Sequence, residues 1–174
     1  MDETSLRAIV IYPRLANIGE IERIRKRYDP LFGQIRPHIT LVFPFRREIS
    51  KGELRSRVEG SLEGCRPFRL VLRGITGHEG EYLFLNVIQG NDAIIDIHRR
   101  LYSGALATHC DRSYAFLPHI TVGRCAIREE LIRALGSLQG FDALFETTVD
   151  TVSIVRLDDS NLAVIENRVI MGDI

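Results

Sequence analysis

A chain of 174 residues with 45% hydrophobic and 26% charged positions has a globular composition, and is long enough to bury a core without disulfide or metal staples. Its 23 basic and 23 acidic residues cancel, which removes the case for a generic polyanion coat, because phosphate neutralisation needs a positive excess. No apolar run approaches the roughly 18 residues that span a bilayer, and the start Met1-Asp2-Glu3-Thr4-Ser5 lacks the basic and apolar blocks of a signal peptide. A cytoplasmic protein with no membrane partner is expected. The cysteines Cys65, Cys110 and Cys125 are odd in number and form no Cys-x-x-Cys pair, against a disulfide framework and against a zinc ribbon. Only Lys26 and Lys51 are lysines; arginine suits phosphate, but a GC-rich genome gives the same bias.

In chain order, Leu6 to Tyr12 reads as a strand dense in Ile and Val. From Ile18, the apolar positions Ile21, Ile24, Tyr28 and Leu31 recur at steps of three and four, the spacing of an amphipathic helix. Between them, Arg23, Arg25, Lys26 and Arg27 read as its solvated face. Pro37 precedes a β-branched and aromatic run from His38 to Phe43, a second strand. Ser50 with Glu53 three residues on is a capping box, followed by the stripe Leu54, Val58 and Leu62. Phe68 to Thr76 is a third strand, and Gly77 to Gly80 a turn.

The order then repeats. Tyr82 to Ile88 is a strand, and Asn91 opens a helix with the inner face Ile94, Ile97, Leu101 and Ala105. Pro118 precedes the strand His119 to Val122, and a further helix carries Leu131, Leu135 and Leu138. Phe145 to Leu157 and Leu162 to Ile170 close the chain as two strands around the turn Asp158-Asp159-Ser160-Asn161. The pattern β-α-β-α-β twice over, with no Gly/Ser/Pro linker, indicates an internal duplication within one unit, 1–174, whose halves fall near 1–80 and 81–174. The expected class is α+β: two pseudo-symmetric lobes, each an antiparallel-rich sheet covered by two helices, around a central cleft.

Pro37-His38-Ile39-Thr40 and Pro118-His119-Ile120-Thr121 are the same tetrapeptide, close to half a chain apart, on the matching strand of each half. Strand period two puts His38 with Thr40 on one face and Ile39, Leu41 and Phe43 on the other. It likewise pairs His119 with Thr121 and turns Ile120 and Val122 inward. If each half buries its apolar face under its own helices, both His–Thr pairs line the cleft. Two imidazoles across a cleft can cleave a phosphodiester without metal: one, neutral, takes the proton of the attacking hydroxyl or water, and the other, protonated, supplies the leaving oxygen. The threonine hydroxyls would hold the non-bridging oxygens.

With these two motifs the sequence resembles the 2H phosphoesterases, the group that includes 2′-5′ RNA ligases and RNA 2′,3′-cyclic phosphodiesterases. The resemblance covers nearly the whole chain and includes Pro44-Phe45 and Tyr82-Leu83-Phe84-Leu85. It implies hydrolysis of 2′,3′-cyclic phosphate ends of RNA or of a small cyclic nucleotide, commonly to 2′-phosphates, with reverse 2′-5′ joining in some members. It also implies His38 as proton donor and His119 as acceptor. Many members carry a basic residue two positions after the first motif's Thr, where this chain has Val42. The arginine often found after the second motif is matched by Arg124, which strict alternation puts opposite His119 unless the strand bends at Gly123.

Candidate site residues are therefore His38 and His119 for acid–base catalysis and Thr40, Thr121 and Arg124 for substrate binding. His78, in its glycine-flanked turn, reads as solvated, and His98 as packed beside its helix stripe. His109 and Cys110 lack the further ligands zinc needs, so no metal and no cofactor is expected. Tyr114 and Phe116 could stack on a base or anchor their loop. Arg46 and Arg47 are candidate RNA backbone contacts. With neither a Gly-x4-Gly-Lys-Ser/Thr loop nor a Lys-x-Asp-Gly motif, ATP hydrolysis and lysyl-adenylate ligation lack their usual chemistry. A monomer with no obligate protein partner is expected, acting on RNA ends or a small cyclic nucleotide. The alternatives are a non-catalytic nucleotide- or RNA-binding module on the same fold, and a diesterase for an ADP-ribose-derived cyclic phosphate or a 2′-5′ oligoadenylate.

Overall fold

A computed structural model describes residues 6–46, 49–160 and 162–172. In chain order the elements are β1 (Leu6–Ile11), α1 (Ile18–Tyr28), β2 (Ile39–Arg46), α2 (Lys51–Ser61), β3 (Phe68–His78), β4 (Tyr82–Gln89), α3 (Asn91–Leu101) and a 3-10 helix (Gly104–His109). There follow β5 (His119–Arg124), α4 (Arg128–Ser137), β6 (Phe145–Val149), β7 (Thr151–Leu157) and β8 (Ala163–Ile170). The strands form two four-stranded sheets of order β2-β1-β7-β8 and β5-β4-β3-β6, with every neighbouring pair antiparallel. The orders superimpose, so the α+β class and the two pseudo-symmetric lobes are present. Asn161 and the side chain of Ala105 lie outside the described residues.

Local signals hold. Ser50 caps α2, its Oγ accepting from the Glu53 amide at 3.1 Å, and Leu54, Val58 and Leu62 are buried. α1 stops at Tyr28 because Pro30 cannot continue it, which leaves Leu31 exposed rather than on the helix stripe.

Two expectations about the lobes need correction. The halves 1–80 and 81–174 do not coincide with the sheets: β3 belongs to the second sheet, and β7 and β8 return to the first. The run 145–157, expected as one strand, breaks at Asp150. β6 before it pairs with β3, and β7 after it pairs with β1. Asp150 anchors the crossing, its carbonyl accepting from the Met171 amide at 2.7 Å and its carboxylate from Thr151 Oγ1 at 2.7 Å.

Nor does each half lie under its own helices. α1 packs on β5 and α3 on β2, while α2 meets β8 and α3, and α4 meets β3 and β4. Because β2 and β5 are edge strands that also touch each other, the helix following the first strand of each repeat crosses over to cover the other repeat's edge. One continuous core results, with Ile9, Ile11 and Leu41 of one sheet and Leu83, Leu85 and Ile120 of the other. The two motif strands are thereby fixed side by side.

Candidate active site

Both motif histidines are held in the same way. His38 Nδ1 lies 2.8 Å from the Arg36 carbonyl, and His119 Nδ1 lies 2.6 Å from the Leu117 carbonyl. A carbonyl only accepts, so Nδ1 carries the proton and donates in each case, which leaves Nε2 as the free lone pair of the neutral ring. The residue between carbonyl and imidazole is a buried proline, Pro37 or Pro118, whose fixed φ sets the turn entering the strand. Neither Nε2 has a hydrogen-bond partner among the described residues, and the Thr40 and Thr121 hydroxyls, both half-buried, have none either.

Each motif is followed by the same β-bulge. Val10 faces Thr40 while Ile9 faces Val42, so Leu41 is an extra residue in β2. Phe84 faces Thr121 while Leu83 faces Gly123, so Val122 is the extra residue in β5. A bulge shifts the phase of the strand beyond it. Phe43, expected inside with Ile39 and Leu41, is therefore 55% exposed while Val42 is fully buried. The same slip brings Arg124 onto the exposed side, where it lies 5.3 Å over the Tyr82 ring and its Nε donates to Glu81 at 2.8 Å. Strict alternation had placed it on the opposite face. A Cβ at Gly123 would lie 2.7 Å from Tyr28 Cβ, so this glycine lets the end of α1 close against β5.

The imidazoles differ in surroundings. His119 stacks on Phe84 with centroids 3.5 Å apart, and His78 stacks on the same ring at 4.8 Å. His78 is thus part of the site wall rather than a solvated loop residue: β3 runs on to His78, and the turn is confined to residues 79–81, of which Glu79 and Gly80 are at positive φ. Burial, opposed by the bond to the Leu117 carbonyl and aided by the neighbouring His78 and His38, pushes the His119 pKa down to about 4. His38 meets Tyr12 edge-on at 6.1 Å, with the Arg36 guanidinium 4.4 Å over the Tyr12 ring. Burial lowers its pKa also, opposed by the bond to the Arg36 carbonyl; Arg25 lowers it and Asp29 raises it. β2 and β5 touch, and the two motif imidazoles lie within electrostatic reach of each other, His38 being one of the groups that lower the His119 pKa.

Among the other candidates, His98 is packed: its Nδ1 donates to the Leu41 carbonyl at 2.8 Å, and its ring stacks on Phe116 at 3.7 Å. Phe116 is therefore a loop anchor, while Tyr114 stays 65% exposed. His109 leans on Phe45, and the described residues contain no cluster of three or more metal-ligating side chains. Of the helix face read as solvated, Arg25 is instead 1% exposed, bonded to Asp29 at 2.7 Å and to the Ile35 carbonyl at 2.7 Å. Its place one step after Ile24 and four after Ile21 puts it on the inner face, a signal the charge pattern masked. Arg46 lies at the end of β2, and Arg47 is outside the described residues. The sequence also did not mark Tyr12, Arg36 or Phe84 as wall residues, although the alternation Tyr82-Phe84-Asn86 on the strand beside the second motif carried that information for Phe84. No described helix is long and apolar enough to cross a membrane.

A family model described as the 2′-5′ RNA ligase superfamily matches residues 13–161. A candidate phosphoesterase of Bacillus licheniformis is 30% identical over 167 residues, spanning 93% of this chain and 96% of the relative. Another from Geobacillus sp. strain WCH70 is 31% identical over 153 residues, spanning 85% and 86%. Among solved structures, E. coli LigT complexed with 3′-AMP superposes with a TM-score of 0.63 at 18% identity, covering 98% of this chain and 99% of that one. The apo form of the same protein gives 0.64.

Proposed function

Because the chain belongs to the 2′-5′ RNA ligase superfamily, we propose that it is a metal-independent phosphodiesterase that opens the 2′,3′-cyclic phosphate of an RNA end or small nucleotide. His38 and His119 are its acid–base pair. The observation that carries this reading is the shared anchoring of two imidazoles, each donating from Nδ1 to the carbonyl two residues before it and each presenting an unpartnered Nε2. His119, held neutral by burial, takes the proton of the attacking water through Nε2. The water oxygen bonds to phosphorus, the bond from phosphorus to one ribose oxygen breaks, and His38, protonated, delivers a proton to that oxygen. The carboxylate of Asp29 favours the charged form of His38, and the phosphate monoanion adds to that effect on binding.

Thr40 and Thr121 donate their free hydroxyls to the non-bridging oxygens as charge builds there. Arg124 contacts the substrate by exchanging the Glu81 carboxylate for phosphate. With a ribose 5′-hydroxyl in place of water, the same groups join the cyclic phosphate to that hydroxyl, its proton going to His119 and the released ribose oxygen taking the proton of His38, which is the route to 2′-5′ ligation. That LigT, a protein of this fold, is solved with 3′-AMP, ATP and NADP+ supports a nucleotide-sized ligand. The direct test is turnover of a 2′,3′-cyclic mononucleotide in EDTA. Wild type is expected to keep its activity, and His38→Ala and His119→Ala each to lose about 10²- to 10⁴-fold. Activity that requires added metal, or that survives both substitutions, overturns the assignment. A raised melting temperature with no product on any diester marks a binding module instead.

A further inference from the structure

Beside His38 a groove of about 760 Å³ runs between the segment Phe32 to Arg36 and strand β8, lined by Tyr12, Gln34, Arg36, Ile165 and Arg168 among others. Tyr12 lines this groove and also meets the His38 ring edge-on at 6.1 Å, so a single side chain links the groove to the first motif histidine. Three features of it are unexplained by the chemistry above. Gln34 is fixed through its backbone, its carbonyl accepting from the Ala163 amide at 3.1 Å, yet its side-chain Oε1 is buried with no hydrogen-bond partner. A buried acceptor left without a donor is costly, and such an atom in a groove wall marks a place where a ligand supplies the donor.

Arg36 and Arg168, both exposed, stand along the groove without a described carboxylate to neutralise them, whereas Arg25 behind it is engaged by Asp29 and Glu22. Arg36 already lies flat over Tyr12, and Phe32, 40% exposed, offers a second aromatic surface. The acidic side chain in the lining, Glu22, is 3.3 Å from Arg25 and so partly neutralised. Aromatic and guanidinium planes, unpaired cations and an orphan acceptor are together what a single-stranded nucleotide needs: a surface to stack on, a partner for its phosphate and an acceptor for an amino group.

Resting on the diesterase reading, we infer that this groove binds the nucleotide on the 5′ side of the one that carries the cyclic phosphate, so that the substrate is an oligonucleotide end rather than a free mononucleotide. The base stacks against Arg36 or Phe32 and donates its exocyclic amino group to Gln34 Oε1, and the next phosphate along the strand pairs with Arg168. Adenine, cytosine and guanine carry such a donor and uracil does not, so a base with an amino group is preferred at that position.

The test compares kcat/KM for trinucleotides ending in a 2′,3′-cyclic phosphate with kcat/KM for the cyclic mononucleotide. Wild type is expected to favour the trinucleotide by about tenfold or more, the size of one stacked base. Gln34→Leu should erase the preference for adenine over uracil, and Arg168→Ala should lower the trinucleotide-to-mononucleotide ratio about fivefold to tenfold. A wild-type ratio near one, or a ratio that neither substitution moves, overturns the inference.

If wild type turns over neither substrate, it is the diesterase reading that fails. The groove is then judged by fluorescence anisotropy with a labelled oligoadenylate bearing a 3′-phosphate. Arg168→Ala should weaken binding and reduce the slope of log affinity against log salt by about 0.7, the value for one single-strand phosphate contact. Unchanged affinity and slope would sink it.

Discussion

The two half-sites share a skeleton and differ in what surrounds it. Each has the tetrapeptide, the proline turn, the Nδ1 anchor, the bulge after threonine and a tyrosine at the end of a helix from the other lobe. At β2 that helix makes side-chain bonds to the edge strand: His98 donates to the Leu41 carbonyl, and Tyr102 Oη accepts from the Phe43 amide at 3.1 Å. At β5 the corresponding contact is steric, Tyr28 against the bare backbone of Gly123. Besides its own backbone anchor, His38 has the Asp29 carboxylate and the Arg25 guanidinium in its field, whereas the groups that act on His119 besides its anchor are two other histidines. Duplication thus repeats the positioning of the imidazoles, and the differing environments are what the proposed division into acid and base rests on.

If the half-sites serve one step, their loss is not additive. The double variant His38→Ala/His119→Ala should be no slower than about tenfold below the worse single variant, because a reaction without its base gains little from its acid. Single-turnover rates check this, and a double variant slower by the product of the two single losses would mean that the histidines act independently. The packing difference predicts the next effect. Gly123→Val installs at β5 the residue found at the matching bulge position of β2, and the added Cβ meets Tyr28 and Leu83 below 3 Å. Overpacking there should cost about 1–3 kcal/mol, seen as a lower midpoint in urea. An unchanged midpoint would show that α1 is free to retreat from β5.

Most of this asymmetry could not be read in the sequence, although the motif pair, the capping box and nearly all helix and strand positions could. Periodicity reports a residue's neighbours along its own element, so Ile39 and Thr40 separate correctly by face while Phe43 does not, since the bulge at Leu41 is a relation between two strands. The same limit hid the crossing of α1 and α3 and the switch of sheet at Asp150, which only long-range pairing decides. His78 was missed because Gly77 suggested a turn two residues too early. Arg25 was missed because its acceptors, Asp29 and the Ile35 carbonyl, are assembled by the loop after the helix.

The side-chain contact at β2 gives a smaller prediction. His98 bridges the first motif strand to Phe116, which lies just ahead of the second motif, so it fixes one half-site relative to the other. His98→Ala should lower kcat about tenfold with little change in KM, the pattern of misplaced catalytic groups. His98→Gln, which can still donate to the Leu41 carbonyl, should recover part of the loss. A change confined to KM would assign His98 to substrate binding instead.

The smallest effect concerns the pH profile. In the free enzyme the base must be deprotonated and the acid protonated, so kcat/KM should rise with pH through about 4 as His119 loses its proton. It should fall again as His38 does, at a pH below the ordinary histidine value near 6.5. The optimum in kcat/KM is therefore acidic, while kcat, measured with the anionic substrate bound, shifts upward because phosphate favours both imidazolium forms. Phe84→Leu uncovers one face of the His119 ring and admits water, which relieves the burial that depresses its pKa. The acidic limb should then move upward from about 4, with the alkaline limb left in place. Movement of the alkaline limb alone would show that His119, not His38, is the imidazole of higher pKa.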